Sequence, residues 1–340
     1  MTVLAGQAGG LGLALLPDPA TPLEGHVAEQ AFADILDGKI SDQGIARFLT
    51  DMAVRDETSI EIAAAARALR YRMIPITAPA GAIDVCGTGG DGAHSLNIST
   101  AVAIVVAACG VPVAKHGNRA ASSKSGAADV LEALGLDLDR ASAMAEESLA
   151  EIGIAFLFAQ SHHPALGRLA PIRRALGRRT IFNIVGPLCS PARVTRQLMG
   201  VARIDYLHTV AEALQLLGSD GAMIVSGEES LDELSIAGPS RIVSFGGCGE
   251  GEARITPEDA GLPRHGLDAI QGGDPAFNAA ALSALLNGAT GAYRDAALLN
   301  AAGALIVAGK AQDWQDGADI AAAAIDEGTA AKLFARWTAF

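Results

Sequence analysis

The feature that most constrains this chain is a loop with four glycines in six residues, Gly-Thr-Gly-Gly-Asp-Gly at positions 87–92. A short apolar run at residues 82–86 precedes it and is predicted to be a β-strand. Because glycine has no Cβ, the backbone N–H groups of such a loop can face an anion at close range. A strand that ends in this kind of loop predicts a phosphate-binding site in an α/β fold.

The pattern G-x-G-x-x-G in residues 87–92 also fits the dinucleotide-binding fingerprint, which requires an acidic residue about 20 positions later. That residue is missing, since residues 93–127 contain no Asp or Glu. The same stretch contains Lys115, Arg119 and Lys124, although the whole chain has a net charge of −13. A locally positive segment of this kind suits a polyanionic ligand other than a dinucleotide.

The N-terminal part of the chain reads as helices and the remainder as alternating strands and helices. Helices are predicted at residues 23–36, 44–52 and 58–71, with Ser41 as an N-cap, and Pro75 and Pro79 indicate a linker. We therefore predict a small α-helical domain at residues 1–75 and an α/β domain at residues 76–340.

Alternation of strands and helices predicts a mostly parallel sheet covered by helices. Residues 246–275 are rich in Gly, Pro and charge, which indicates an irregular segment. The predicted strands are 82–86, 111–114, 155–158, 222–226 and 242–245, and the predicted helices are 99–109, 125–134, 276–286, 295–309 and 320–335.

Composition excludes several classes of function. A pI near 4.9 argues against nucleic-acid binding. The four cysteines lack metal-site or disulfide spacing, which favours free thiols in a reducing compartment. The N-terminus is a poor signal peptide, and the longest apolar stretch, residues 101–114, is too short to span a bilayer. We expect a soluble cytoplasmic protein whose partners are small molecules.

Polar side chains follow both predicted phosphate loops. Ser95, Asn97, Ser99 and Thr100 lead into a buried helix, and capping that helix would need only one of them. The second loop, residues 115–126, supplies a lysine and adjacent serines, which can hold phosphate oxygens. A structural turn remains the alternative for this second loop.

Carboxylates and arginines supply further candidates. Asp232 and Glu233 follow an apolar strand and could bind Mg²⁺, which prefers oxygen ligands. Five arginines lie between residues 168 and 179; most can belong to a solvated helix face, and one inward-facing member could bind a carboxylate. His162 and His163 are adjacent on a segment that reads as extended and are expected to point in opposite directions, which disfavours shared metal ligation.

Taken together, several motifs resemble those of the anthranilate phosphoribosyltransferases of tryptophan biosynthesis, from about residue 22 to the C-terminus. The motifs that carry the resemblance are Cys86-Gly-Thr-Gly-Gly-Asp-Gly92, Asn97-Ile-Ser-Thr100, Lys115-His-Gly-Asn-Arg119, Ser122-Ser-Lys-Ser-Gly126, Ala128-Asp-Val-Leu-Glu-Ala-Leu-Gly135, His163-Pro-Ala165, Arg179-Thr-Ile-Phe-Asn183 and Gly186-Pro-Leu188.

The resemblance implies a nucleoside-phosphorylase-like α/β domain, a homodimer and about two Mg²⁺ ions per subunit, which would be bound by Ser99, Asp232 and Glu233. It implies catalytic roles for Lys115 and Arg173, and an anthranilate site at Gly87, Asn118 and Arg173. The implied contacts to 5-phosphoribosyl 1-pyrophosphate (PRPP) are Gly87, Gly90, Asp91, Ser95, Asn97, Ile98, Ser99, Thr100, Lys115, His116, Gly117, Asn118, Arg119, Ser122, Ser123 and Ala127.

Some positions depart from the family pattern. They are Ser190 before Pro191, Ala127, Gly167-Arg168, Glu228-Glu229-Ser230 and Phe277. Three alternatives remain open: a pyrimidine nucleoside phosphorylase-like enzyme, a family relative with another acceptor, and a catalytically silent relative that binds nucleic acid.

Overall fold

A computed structural model of the chain describes residues 15–120 and 124–340. This part of the chain forms seven strands. They are β1 (Ile83–Gly87), β2 (Val113–Gly117), β3 (Ile154–Phe158), β4 (Arg196–Gly200), β5 (Gly221–Gly227), β6 (Ser240–Gly246) and β7 (Gly251–Ile255).

The strands form one sheet in the order β3-β2-β1-β4-β5-β6-β7. The first five run parallel, and β6 and β7 are antiparallel to their neighbours. The prediction of a mostly parallel sheet is therefore confirmed. The strand order changes direction between β1 and β4, which is the position where open α/β sheets bind their ligands.

Fourteen α-helices lie in the described residues. They are α1 (Gly25–Leu36), α2 (Asp42–Val54), α3 (Ser59–Arg70), α4 (Ile98–Ala108), α5 (Ala127–Ala133), α6 (Leu138–Ala143), α7 (Ala145–Ile152), α8 (Ala159–His162), α9 (Leu169–Leu176), α10 (Leu207–Leu216), α11 (Pro275–Leu286), α12 (Ala292–Val307), α13 (Trp314–Asp326) and α14 (Thr329–Ala339).

The N-terminal helices begin at caps that the sequence signals. The Ser41 side chain accepts a hydrogen bond from the Gly44 N–H, which confirms Ser41 as the N-cap of α2. Thr58 and Glu61 form a capping box at the start of α3. The next residues of α3 are mostly alanines, whose small side chains let it pack closely against α1.

Two large hydrophobic clusters lie on opposite faces of the sheet. One packs β-strand residues such as Val85 and Leu198 against α4 and α12. The other joins Met199 and Ile224 on the opposite face to the helices α1–α3, α9 and α10. Because parallel strands are buried on both faces, consecutive apolar residues alternate between the two clusters. The domain boundary at residue 75 stays a prediction, and α9 packs with the N-terminal helices although it lies far beyond that boundary.

The predictions missed several elements, among them α6, α7, α8, α10 and two strands, and one predicted helix is divided. Neither β4 nor β7 was predicted, and β7 lies in the 246–275 segment that was expected to be irregular. Most of the β7 side chains are exposed, so this strand lacks an alternating apolar pattern. The predicted helix at 320–335 is divided into α13 and α14, because Gly328 adopts a left-handed conformation with φ of 72°.

None of the helices in the described ranges has both the length and the apolar character that are needed to cross a membrane.

Candidate functional site

The glycine-rich loop at residues 87–92 extends from the carboxyl end of β1, at the switch point of the sheet. Gly89, Gly90 and Gly92 all have positive φ angles between 68° and 78°, which side chains rarely allow. Arg179 donates hydrogen bonds to the Gly89 and Gly90 carbonyl oxygens at 3.0 and 3.4 Å. These bonds turn two loop carbonyls toward Arg179.

The acidic residues that follow β5 reach back to this loop. The Gly89 N–H donates to Asp232 Oδ2 at 2.6 Å, and the Ser99 N–H donates to Glu233 Oε1 at 3.1 Å. Two glycines make the approach possible. A Cβ on Gly87 would lie 2.3 Å from Asp232 Oδ2, and a Cβ on Gly200 would lie 1.6 Å from the Asp232 carbonyl oxygen. The fold thus brings the predicted metal ligands onto the predicted phosphate loop.

The electrostatics of this acidic pair differ from those of ordinary surface carboxylates. Loss of hydration raises the pKa of Asp232 to about 7, with a further contribution from the negative charge of the Asp91 carboxyl. The pKa of Glu233 is also raised, first by desolvation and then by the negative charge of Asp232. Within the described residues neither side chain forms an ion pair with Lys or Arg. A cation at this position would therefore relieve unfavourable charge.

Lys115 lies beneath the loop rather than in open solvent. Its side chain is buried, and Nζ donates to the Val85 carbonyl oxygen at 2.8 Å and to Ser99 Oγ at 3.3 Å. The buried Asp84 carboxyl accepts from the His116 N–H, and burial raises its pKa to about 6. Lys115 thus places a positive charge close to β1 and the start of α4.

The Asp129 carboxylate links the two ends of the second loop. Asp129, in the first turn of α5, accepts hydrogen bonds from the Ala120 and Gly126 N–H groups, both at 2.9 Å. A Cβ on Gly126 would lie only 2.4 Å from the Ala120 nitrogen. Arg119 forms ion pairs with Asp129 and Glu132. The predicted ligands Ser122 and Ser123 lie outside the described residues.

Other predicted site residues lie at the ends of strands and helices. Gly117 ends β2, and a Cβ there would meet the Phe156 ring at 2.7 Å. Asn118 is the next residue, and its Oδ1 accepts from the Arg119 N–H at 2.8 Å. Ile98 and Ala127 are the first residues of α4 and α5. Contacts of these residues with PRPP remain predictions.

The polar residues of the first loop are supported by a distant segment that the sequence analysis did not assign to the site. Ser95 forms a β-bridge with Gln271, whose Nε2 donates to the Ala93 and His94 carbonyl oxygens. Asn97 pairs with Asn278 of α11, while Thr100 is buried in α4. A lone asparagine in the apolar sequence of α11 was the signal that could have indicated Asn278.

Arg173 is a half-buried member of the arginine group, as is Arg179, which bonds the glycine loop. Arg173 donates to the Phe182 carbonyl oxygen at 3.3 Å. Desolvation lowers its pKa, and no carboxylate of the described residues pairs with it. Arg174 and Arg178 are exposed, and Arg168 instead donates to the Ile40 carbonyl oxygen in the N-terminal helices. Arg173 is therefore available for an anionic group.

The histidines have separate partners, as expected, although they lie at the end of α8 and not on an extended segment. His162 Nδ1 contacts the Ile74 carbonyl oxygen at 2.8 Å. His163 Nε2 lies 3.2 Å from Nε2 of His116. Burial lowers the pKa of His163 to about 4 and lowers that of His116 as well. All four cysteines are free thiols.

Comparison with known families matches nearly all of the chain. The family described as "Glycosyl transferase family, helical bundle domain" matches residues 21–73. The family described as "Glycosyl transferase family, a/b domain" matches residues 80–331.

Curated and solved relatives agree with these matches. Anthranilate phosphoribosyltransferase of Novosphingobium aromaticivorans is 61% identical over 96% of this chain and 99% of its own length. The crystal structure of the Thermus thermophilus enzyme is 40% identical, with a TM-score of 0.88 over 94% of this chain and 96% of that chain. The Saccharomyces cerevisiae enzyme in complex with PRPP and Mg is 28% identical, with a TM-score of 0.84 over 93% of each chain.

Proposed function

The chain belongs to the anthranilate phosphoribosyltransferase family, and on this premise we propose that it transfers the 5-phosphoribosyl group of PRPP to the amine of anthranilate. The products are N-(5-phosphoribosyl)anthranilate and pyrophosphate, within tryptophan biosynthesis. The observation that carries the proposal is the approach of Asp232 to within 2.6 Å of the Gly89 nitrogen. This contact joins an acidic pair to a phosphate-type loop at the switch point of the sheet.

The phosphates of PRPP would be held by the two loops. The first loop would present backbone N–H groups other than that of Gly89, which bonds Asp232, to an anion, and Lys115 supplies a positive charge below the loop. Ser95, Asn97, Ser99 and Thr100 add neutral hydrogen-bonding groups at the start of α4. Breaking the bond to pyrophosphate generates negative charge, which these groups would stabilise.

The residues near Asp232 fit Mg²⁺. The oxygen donors are the carboxylates of Asp232 and Glu233 with the Ser99 hydroxyl, and hard cations prefer such ligands. The described residues hold no preformed cluster of three or more metal-ligating side chains. Mg²⁺ needs few protein ligands, because it keeps several waters and binds substrate phosphates. Bound Mg²⁺ would neutralise charge on the departing pyrophosphate, and two ions per subunit are our proposal.

The acceptor would bind through its carboxylate. Arg173 offers a half-buried guanidinium without a protein carboxylate, and such a fork can hold a carboxylate with two hydrogen bonds. Asn118 and Gly87 complete the proposed anthranilate site. The aromatic amine is neutral at pH 7 and already nucleophilic, so the protein needs to position it and not to deprotonate it.

The helical domain would close over the site about the linker near residues 75–81, which would exclude water as a competing acceptor. The linker is anchored on the α/β side, because the Ile74 N–H donates to the His162 carbonyl oxygen and the Ile76 N–H to that of Pro191. The free thiols support a reducing compartment, and we place the protein in the cytoplasm.

The proposed homodimer would form on the helical domain. A groove of about 840 Å³ lies between α1, α3 and the end of α10. Tyr71 and Leu216 at this groove are 87% and 52% exposed, and Arg70 and Arg193 line it without an ion pair in the described residues. Exposed apolar side chains next to unpaired arginines suit a contact with a second copy of this acidic chain.

The reaction can be tested by following anthranilate fluorescence with purified protein, PRPP and Mg²⁺. A decay that needs all three components supports the proposal. Binding of PRPP without any decay would overturn anthranilate as the acceptor. Phosphorolysis of pyrimidine nucleosides would instead assign the nucleoside phosphorylase activity.

A further inference from the structure

The Asn278 side chain of α11 is hydrogen-bonded both to nearby Gly273 and to Asn97, which is far away in the chain. Its Oδ1 accepts a hydrogen bond from the Gly273 N–H at 2.7 Å. Its Nδ2 donates to Asn97 Oδ1 at 2.8 Å. The side chain is only 1% exposed, so both bonds are shielded from water.

The Gly273 N–H group fixes which end of the Asn278 amide faces Gly273 and which faces Asn97. An N–H group can only donate, so the atom of Asn278 that faces Gly273 must be its oxygen. The amide nitrogen of Asn278 then faces Asn97 and requires the oxygen of Asn97 as its acceptor. The orientation of the Asn97 amide follows from this chain of bonds and needs no assumption about amide flips.

The Asn97 side chain does not cap α4, although its position would suggest this role. It is the N-cap of α4, yet its side chain makes no capping hydrogen bond. The Ser99 N–H, which such a cap could satisfy, donates to Glu233 instead. The Tyr293 hydroxyl donates to the Asn97 carbonyl oxygen at 3.0 Å and so fixes the backbone as well.

One polar group of Asn97 is left without a protein partner. Nδ2 has no acceptor in the described residues, and it is not among the fully buried atoms that lack a partner. Asn97 itself is half-buried and lies between Ser95 and Ser99. A donor that is rigidly held and still accessible suits an anionic oxygen.

We propose that Asn278 is a positioning residue that locks the Asn97 amide with its Nδ2 outward, as a hydrogen-bond donor to an oxygen of the phosphoribosyl donor. This inference rests on the proposed function, in which Asn97 contacts PRPP. Aspartate at position 278 would keep the bond from Gly273 but could not donate to Asn97. The Asn97 amide would then turn over and present an oxygen to the ligand.

The test is a double-variant cycle on the full-length protein with N278D, N97A and the combination of the two. The measured quantities are the Kd of PRPP with Mg²⁺ by calorimetry, and KM and kcat. We expect N278D to raise Kd and KM for PRPP roughly ten- to hundredfold, the range for a hydrogen bond to a charged group, while kcat changes less. In the N97A background the same change should alter Kd less than about threefold.

A matched control is N287D, which adds the same charge at an exposed asparagine that caps the end of α11. It should leave the Kd of PRPP unchanged. An effect of N278D that persists in the N97A background, or one that N287D reproduces, would overturn the proposal, because the charge or the fold would then be responsible.

A ligand-free measurement separates this inference from the proposed function. In protein with ¹⁵N-labelled asparagine, N97A should shift the side-chain amide signals that N278D removes. If those signals respond while the wild-type protein does not bind PRPP, the proposed function fails and the locked amide stands. If the signals do not respond to N97A, the inference fails whatever the protein binds.

Discussion

Two regions of this molecule shift the pKa values of their carboxyl groups in opposite directions. In the helical domain Glu61 is fully buried, and its oxygens accept hydrogen bonds from Arg55 and from the Leu23 and Thr58 N–H groups. The pKa of Glu61 is lowered by these partners. At the switch point of the sheet desolvation raises the pKa values of Asp232 and Glu233, and the charge of Asp91 adds to the effect on Asp232 as that of Asp232 does on Glu233.

The difference separates a structural carboxylate from a functional one. A buried acid with a full set of partners is part of the fold, and removing it leaves its partners unsatisfied. Asp232 and Glu233 accept hydrogen bonds from the Gly89 and Ser99 N–H groups and form no ion pair in the described residues, so the pair costs stability until a cation binds it. The acidic pair therefore has unused capacity for a ligand, and Glu61 has none.

The largest effect should come from breaking the structural site. Glu61→Ala leaves the Arg55 guanidinium without its carboxylate, and we expect a loss of about 3 kcal/mol in the free energy of unfolding. Urea unfolding measures this loss. The control is Glu29→Ala, which removes an exposed pair with Arg67 and should cost less than about 1 kcal/mol. The comparison breaks down if Glu61→Ala weakens PRPP binding without destabilising the protein.

Substitution of the acidic pair should instead lower activity and leave stability unchanged or higher. Asp232→Asn with Glu233→Gln should lower Mg²⁺-dependent turnover at least roughly a hundredfold, since even outer partners of a bound metal contribute ten- to hundredfold. Without Mg²⁺ the free energy of unfolding should stay equal or rise, because two desolvated acidic groups are replaced by neutral amides. Turnover with unchanged Mg²⁺ dependence in this double variant would contradict the assignment of these ligands.

The pH dependence sharpens the contrast, because Asp232 and Glu61 should change the stability of the protein in opposite directions as the pH rises. The raised pKa of Asp232, about 7, means that the folded protein keeps a proton that the unfolded chain loses above its ordinary pKa of 3.8. Without Mg²⁺, Asp232 should therefore lower stability as the pH rises between about 4 and 7. Glu61, whose pKa is lowered from 4.5, contributes stability above that value, which is lost as the pH falls below it.

The same linkage predicts that Mg²⁺ displaces protons from the acidic pair. Below about pH 7 the affinity for Mg²⁺ should fall by up to about tenfold per pH unit for each proton that Mg²⁺ displaces. Calorimetry in two buffers with different ionisation enthalpies measures the released protons. Equal binding heats in both buffers at about pH 6 would show that the pair is already ionised, and the comparison with Glu61 would lose its basis.

The smallest expected effect concerns Arg179, whose positive charge lowers the pKa of Asp232 without forming an ion pair. Arg179→Met removes its hydrogen bonds to the Gly89 and Gly90 carbonyl oxygens. We expect KM for PRPP to rise roughly three- to tenfold, the value of one ordinary hydrogen bond. The control is Arg178→Met at the exposed neighbouring position, where KM should not change. Equal effects of both substitutions would indicate long-range charge instead.

Sequence patterns predicted the parts of the structure that depend on neighbouring residues. The cap at Ser41, the strand before the glycine loop and the mostly parallel sheet all follow from local signals. Strand β7 escaped prediction because its exposed, charged residues carry no apolar alternation, and only pairing with β6 makes it a strand. The break at Gly328 shows that one glycine can divide a pattern that appears continuous.

The candidate site likewise has one part that the sequence predicts and another that only the tertiary structure sets. The sequence by itself determined the glycine loop, the acidic pair and the family, because these depend on residue types at short spacing. Only the tertiary structure decided that Asp232 touches Gly89, that Arg173 has no carboxylate partner, and that Asn278 orients Asn97. Asn97 and Asn278 are 181 residues apart in the chain, and a contact over that separation is set by how helices pack on the sheet.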